Sequence, residues 1–198
     1  MLLNTPWNPT GTVFEEDSLR KICELILEEN NCRKGKSKPI YLLYDQIYWL
    51  LTYGKTQHFD PVNIFPAMKD YTFYVDGISK AFAATGVRVG WAYGHERIID
   101  KMKSILSHIG AWAPKAEQVA TANFLFQDEK VDSFLIGFKK QLQTRLEKFY
   151  EGFMELKSEG YKVDAIAPHA SIYLTVRFNL HGARTNDGTL LQNTSDVT

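Results

Sequence analysis

Lys80 stands in Asp76-Gly77-Ile78-Ser79-Lys80, directly after the apolar run Tyr71-Thr72-Phe73-Tyr74-Val75, and is followed by Gly86-Val87-Arg88-Val89-Gly90. An amine at a strand end can attack an aldehyde to form an imine and later act as acid and base. Both tasks need the neutral amine part of the time. Arg88 offers a planar fork for phosphate oxygens, and Gly86 and Gly90 let the chain come close to such a group. Asp45 ends the run Ile40-Tyr41-Leu42-Leu43-Tyr44 and is followed by Gln46-Ile47-Tyr48. A carboxylate leaving a buried strand needs a cationic or hydrogen-bonding partner, and a protonated ring nitrogen is one. Tyr48 can present its hydroxyl to the same ligand. Asn8 lies in Asn4-Thr5-Pro6-Trp7-Asn8-Pro9-Thr10-Gly11. There the prolines restrict the backbone and the glycine permits a sharp turn, so the Asn8 amide is held in place.

Each residue also has a plainer reading. Asn-Pro and Thr-Gly are common turn punctuation, Asp45 suits a helix N-cap, and most lysines are exposed. The combination outweighs the parts. The polar positions all follow strands, in one order, around one ligand whose ring and phosphate they can satisfy: pyridoxal phosphate. Strand ends are also where α/β sheets bind ligands.

The elements that must carry these residues alternate strand and helix, which predicts an α/β layered structure. Met1 to Thr5 reads as the tail of a strand. Leu19, Ile22, Cys23 and Ile26 recur at helical spacing, predicting a helix from about Glu15 to Asn30 whose acidic start suits the helix dipole. Ile40–Tyr44 is a short apolar run typical of a strand buried on both faces. Tyr71–Val75 and Val89–Tyr93 are further strands. Helices are predicted over Arg97–Ser107 and over Lys115–Phe126, the latter with Pro114 at its start. Val131, Phe134, Leu135, Phe138, Leu142, Leu146, Phe149, Phe153 and Leu156 share one face of a long helix that Gly160 can stop. Ile172, Leu174, Val176 and Phe178 alternate with polar neighbours as a half-buried strand. From His181 onward no periodicity remains.

Bulk properties narrow the classes of function. The 198 residues are 44% hydrophobic and 13% aromatic, enough for a folded core. Twenty-three basic and 23 acidic residues give no formal net charge and no footprint for nucleic acid. The basic stretch Arg33-Lys34-Gly35-Lys36-Ser37-Lys38 is a solvated loop on this reading. Cys23 and Cys32 form neither a disulfide framework nor a metal motif, so no metal is expected and a reducing cytoplasm is the default. No apolar stretch approaches a membrane span, and no charged and apolar leader opens the chain. A Gly-x-Gly-x-x-Gly after a strand is absent, which argues against a dinucleotide enzyme.

On Asn8 to Gly11, Asp45 with Tyr48, Ser79 with Lys80, and Gly86-Val87-Arg88-Val89-Gly90, the chain resembles the class I/II aminotransferases of the fold-type-I pyridoxal phosphate enzymes, closest to their aspartate-aminotransferase-like branch. The likeness runs from about Asn4 to Tyr93, with a looser match in the long helix and near Ile172. It implies that Asn8 and Tyr48 bond the cofactor's phenolic oxygen and that Asp45 pairs with its pyridine nitrogen. It also implies that Lys80 forms the internal aldimine and that Arg88 anchors the phosphate. The implied fold is part of a large three-layer domain, a mostly parallel sheet with helices on both faces, over residues 1–128. A long linking helix and an incomplete small domain would follow over 129–198. The implied activity is transfer of an amino group between an amino acid and a 2-oxo acid, in a homodimer with no nucleic-acid or membrane partner. His108, Trp112 and Pro114 fall where the family reaches a neighbouring subunit's site.

The chain also departs from the family pattern. Gly77 stands where a hydroxyl residue often binds phosphate. The chain is expected to be an internal piece of a longer protein, its Gly-rich phosphate loop and ring-stacking aromatic before Asn4 and its substrate-carboxylate arginine after Thr198. A carbon–sulfur lyase or decarboxylase on the same scaffold, and an inactive fragment or ligand-sensing domain, stay open on these residues.

Overall fold

The computed structural model describes residues 1–197. Its centre is a four-stranded sheet of β1 (Leu2–Asn4), β2 (Leu42–Asp45), β3 (Thr72–Gly77) and β4 (Gly90–Gly94), in that order. β1, β2 and β3 run parallel and β4 returns antiparallel. The parallel pairs are joined through α1 (Glu16–Arg33) and through α2 (Pro61–Ile64) with the 3₁₀ turn Pro66–Asp70. A parallel connection must travel back along the sheet, which is why these crossovers are long.

One face of the sheet is closed by α1. Leu19, Cys23 and Ile26, spaced for one helical stripe, bury against Leu3, Leu42, Tyr44, Met68 and Tyr74. Full burial of each large apolar side chain contributes roughly 1.5–3 kcal/mol. Glu16 and Asp17 occupy the first turn of α1, where the dipole favours acids. At the other end, buried Asn30 donates Nδ2–H to the Ile40 carbonyl at 2.9 Å and accepts the Ile40 N–H at 2.6 Å, which fixes the helix to the entry of β2. Both cysteines lie in α1, Cys23 buried and Cys32 exposed.

Over the other face stand α3 (Glu96–Ile109) and α4 (Lys115–Leu125), across a cleft of about 680 Å³ that includes Val75, Ala92, Met102 and Leu125. His95 caps α3 by accepting the Arg97 N–H through Nδ1 at 3.2 Å, and Gly110 ends it in the left-handed conformation that glycine adopts without strain. The 31-residue α5 (Asp128–Ser158) follows. Its expected apolar stripe is covered mainly in the middle: Leu146 is buried, while Phe149 is 64% exposed.

β5 (Val163–Ala165) pairs antiparallel with β6 (Val176–Phe178) beside α5. The alternation over Ile172–Phe178 therefore becomes a strand only at its last three residues. Just before it the backbone bonds to distant loops, Ser171 N–H donating to Leu51 O at 2.7 Å and Ala170 N–H to Gly11 O at 2.8 Å, and Tyr173 N–H donates to the Ser171 hydroxyl at 3.4 Å and not to a strand. The remaining boundaries fall within three residues of expectation, the largest extension being that of α1 to Arg33. No helix among the described residues is long and apolar enough to cross a membrane.

Candidate functional site

The register of the parallel strands aligns Asn4, Asp45 and Val75 in one row. The loops that carry Asn8, Tyr48 and Lys80 therefore leave the sheet at one edge, on strands about 4.8 Å apart. β4 enters at the same edge, because Gly90 pairs with Gly77, and Arg88 sits two residues before it.

Lys80 lies in a turn after β3, half-buried, in which the Ala83 N–H donates to the Lys80 carbonyl at 3.1 Å. Its Nζ stands 5.8 Å from the centre of the Tyr48 ring. Tyr48 is 2% exposed and packs with Leu51 and Ala81. Its hydroxyl shares a 2.7 Å hydrogen bond with the hydroxyl of Tyr173. Burial first, and then that bond, push the Tyr48 phenol above its ordinary pKa. Asp45 is half-buried; its Oδ1 accepts the Ile47 N–H at 3.2 Å in an Asx turn, and no second bond engages its other oxygen among the described residues. No helix begins here, so the N-cap reading of Asp45 fails while its local turn remains.

Asn8 is exposed, and its backbone N–H donates to Asn4 Oδ1 at 2.8 Å. Its neighbour Asn4 reaches across to Asp45, donating Nδ2–H to the Asp45 carbonyl at 3.3 Å. Arg88 is exposed as well, with a left-handed φ of 61°, and its guanidinium donates to the Thr85 carbonyl of its own loop at 2.8 Å. Lys80 and Tyr48 are thus in contact, Asp45 adjoins them through its strand, and Asn8 and Arg88 flank the edge with no side-chain bond to the other three among the described residues.

Gly77 has a physical reason for lacking a side chain. A Cβ there would sit 2.9 Å from the Val89 carbonyl oxygen and 3.0 Å from the Gly90 Cα, so the close approach of β3 and β4 excludes any larger residue, a serine included.

Three further polar residues join the strand-edge region with little signal in the sequence. Asp76 is 7% exposed; its carboxylate accepts the Trp49 Nε1–H at 2.8 Å and the Gly77 N–H at 2.7 Å. Burial raises its pKa against the pull of those two donors. Gln46, also buried, donates Nε2–H to the Tyr93 hydroxyl at 3.0 Å. Tyr173 arrives from beyond α5, and only its place on the polar side of the Ile172–Phe178 alternation hinted that it faces a partner. Among the described residues no group of three or more His, Cys, Asp or Glu side chains is gathered as for a metal.

The sheet edge thus brings together a lysine, a tyrosine and, on the next strand, a carboxylate. The family model for aminotransferases of class I and II matches residues 1–193, and the chain belongs to that family, with its fold-type-I architecture. Aspartate aminotransferase from Bacillus subtilis is 31% identical over 163 residues, 81% of this chain and 39% of its own length. The enzyme of that name from Sulfurisphaera tokodaii is 35% identical over 164 residues, 81% of this chain and 38% of its own. Among solved structures, an aspartate aminotransferase from Thermus thermophilus with maleate is 28% identical, with a TM-score of 0.74 over 88% of this chain and 41% of that one. An aspartate aminotransferase from Rhizobium meliloti shares the fold at a TM-score of 0.81 and 24% identity, over 99% of this chain and 46% of that one. The chain spans about two fifths of the length of the curated relatives it matches.

Proposed function

We propose that this chain is the lysine-bearing part of a pyridoxal-phosphate-dependent aminotransferase that moves an amino group between an amino acid and a 2-oxo acid. The observation that carries the reading is the seat of Lys80 Nζ over the Tyr48 ring, at the sheet edge where Asp45 also ends its strand. Class I and II aminotransferases depend on this cofactor in general, and the donor set fits it. Asp45 keeps one carboxylate oxygen for a protonated ring nitrogen, Tyr48 and Asn8 supply a phenol and an amide for a ring oxygen, and Arg88 supplies a guanidinium for phosphate. We also propose the division at about residue 128, with residues 1–128 as the cofactor-binding part.

When bound, the cofactor supplies an electron sink for the carbanion next to the nitrogen. The rest falls to the chain. Asp45 would hold the ring nitrogen in its charged form, because a carboxylate next to a cation favours the charged state. Lys80 Nζ would carry the cofactor and, once displaced by a substrate amine, take the substrate's α-proton and return it on the other side of the exchange. The almost fully buried Tyr48 ring would give Nζ an aromatic neighbour on one side.

The test is chemical. Pyridoxal phosphate is added to the full-length protein that carries this sequence, the adduct is reduced with borohydride, and the digest is mapped. The modified peptide is expected to contain Lys80, and Lys80→Ala is expected to abolish that adduct while the urea midpoint stays nearly unchanged. Labelling spread over surface lysines, with none at Lys80, would sink the proposal.

A further inference from the structure

We infer that Tyr173 is a positioning residue for Tyr48, and that together they form a directed pair of phenols aimed at the cofactor's ring oxygen. The inference rests on the cofactor reading above.

Residues 169–175 run as a strap past two of the strand-edge loops. On one side, Ala170 N–H donates to Gly11 O and the Thr175 hydroxyl donates to Pro9 O, both at 2.8 Å. These bonds hold the loop that carries Asn8. On the other side, Ser171 N–H donates to Leu51 O at 2.7 Å, Tyr53 N–H donates to His169 O at 2.9 Å, and the Tyr53 hydroxyl donates to Ser171 O. These bonds hold the turn that carries Tyr48. Ser171, fully buried with a φ of 62°, makes the bend that turns Tyr173 back toward Tyr48. The two tyrosine rings then meet edge to face, with centres 5.6 Å apart and planes 70° apart, and their hydroxyls at 2.7 Å.

Proton counting gives the pair a direction. Each phenol has one proton to donate and lone pairs to accept with. Either hydroxyl can donate while the site holds no acceptor. Once Tyr48 donates to a ligand oxygen, its proton is committed, and the 2.7 Å bond survives only if Tyr173 donates to Tyr48. A donated hydrogen bond makes the Tyr48 hydroxyl a better donor in turn, because hydrogen bonds in a chain polarise one another. Tyr173 therefore both fixes the Tyr48 phenol in space and strengthens the one bond it makes to the ring oxygen.

A double-mutant cycle on the full-length protein that carries this sequence tests this, with Tyr48→Phe, Tyr173→Phe and the double variant, and pyridoxal phosphate as the probe. The Phe variants keep the rings and delete only the hydroxyls. Tyr173→Phe is expected to weaken pyridoxal phosphate binding roughly 5–15-fold, the loss of about one hydrogen bond. It is also expected to move upward the pH midpoint at which the bound cofactor's visible band changes, because the ring oxygen holds its proton more tightly when its donor weakens. In the double variant both readouts should match Tyr48→Phe alone. An adduct at Lys80 combined with unchanged affinity and band midpoint in Tyr173→Phe overturns the inference and leaves the cofactor reading standing. Losses that multiply in the double variant also overturn it. Absence of any adduct in the unsubstituted full-length protein overturns both. Read without cofactor, the urea midpoints of the same four proteins should be non-additive, and additive midpoints would show that the phenol pair does not form.

Discussion

Asp76 is the buried carboxylate closest in sequence to Lys80, and the indole of Trp49 is one of its two hydrogen-bond donors given above. Trp49→Phe leaves the carboxylate buried with one donor fewer, at an expected cost of about 1–3 kcal/mol in urea unfolding. A loss below about 0.5 kcal/mol would mean that water replaces the indole. Individual residues were legible to the extent that their chemistry is written in their own neighbourhood. Lys80, Asp45, Tyr48, Asn8 and Arg88 each follow or precede an apolar run, and that run announces a strand edge. Asp76 is not legible in this way, because the apolar run stops at Val75 while β3 continues to Gly77, and nothing local points to Trp49. Nor is Tyr173, because its partner lies 125 residues away.

The strap illustrates what element-scale reading misses. Alternation over Ile172–Phe178 predicts a strand, and β6 exists, but pattern alone cannot say that residues 169–173 bond to two loops rather than to β5. β5 itself has one buried residue, Val163, and so no periodic signal. The short α2 and the 3₁₀ turn behind it also fall below the length at which helical spacing shows. By contrast α1, α3 and α5 are legible because each repeats its apolar positions over several turns, and α4 because Pro114 marks its start. Gly11 gives this scale its prediction. It has a φ of 69°, and a Cβ there would lie 2.8 Å from the backbone oxygen of Tyr173. Gly11→Ala is expected to destabilise the chain by roughly 1–3 kcal/mol and, by pushing the strap, to abolish the non-additivity of the Tyr48 and Tyr173 variants. An alanine variant with an unchanged urea midpoint would mean that the loop relaxes at little cost.

For the molecule as a whole, acid is the predicted weakness. His58 packs between Tyr44 and Trp49 with both ring nitrogens buried and no hydrogen-bond partner among the described residues. Burial pushes its pKa down from 6.5 to about 4, against the opposing pull of the Asp60 carboxylate. The unfolded chain then binds the proton more readily than the folded one. Stability from the neutral ring is full above about pH 6.5 and is lost as pH falls toward about 4. The urea midpoint should drop over that interval, and His58→Phe should flatten the drop; an equal pH dependence in both proteins would assign the effect to other groups. The α/β layering itself was legible at this scale because it follows from strand and helix periods, each a local property. The bond between Tyr48 and Tyr173 has a further consequence during synthesis. Its two hydroxyls are separated by 125 residues of chain, so at ~5–20 residues per second a ribosome delivers the second roughly 6–25 s after the first. Through that interval a nascent chain can carry Lys80, Asp45 and the strand edge with a Tyr48 phenol whose partner does not yet exist.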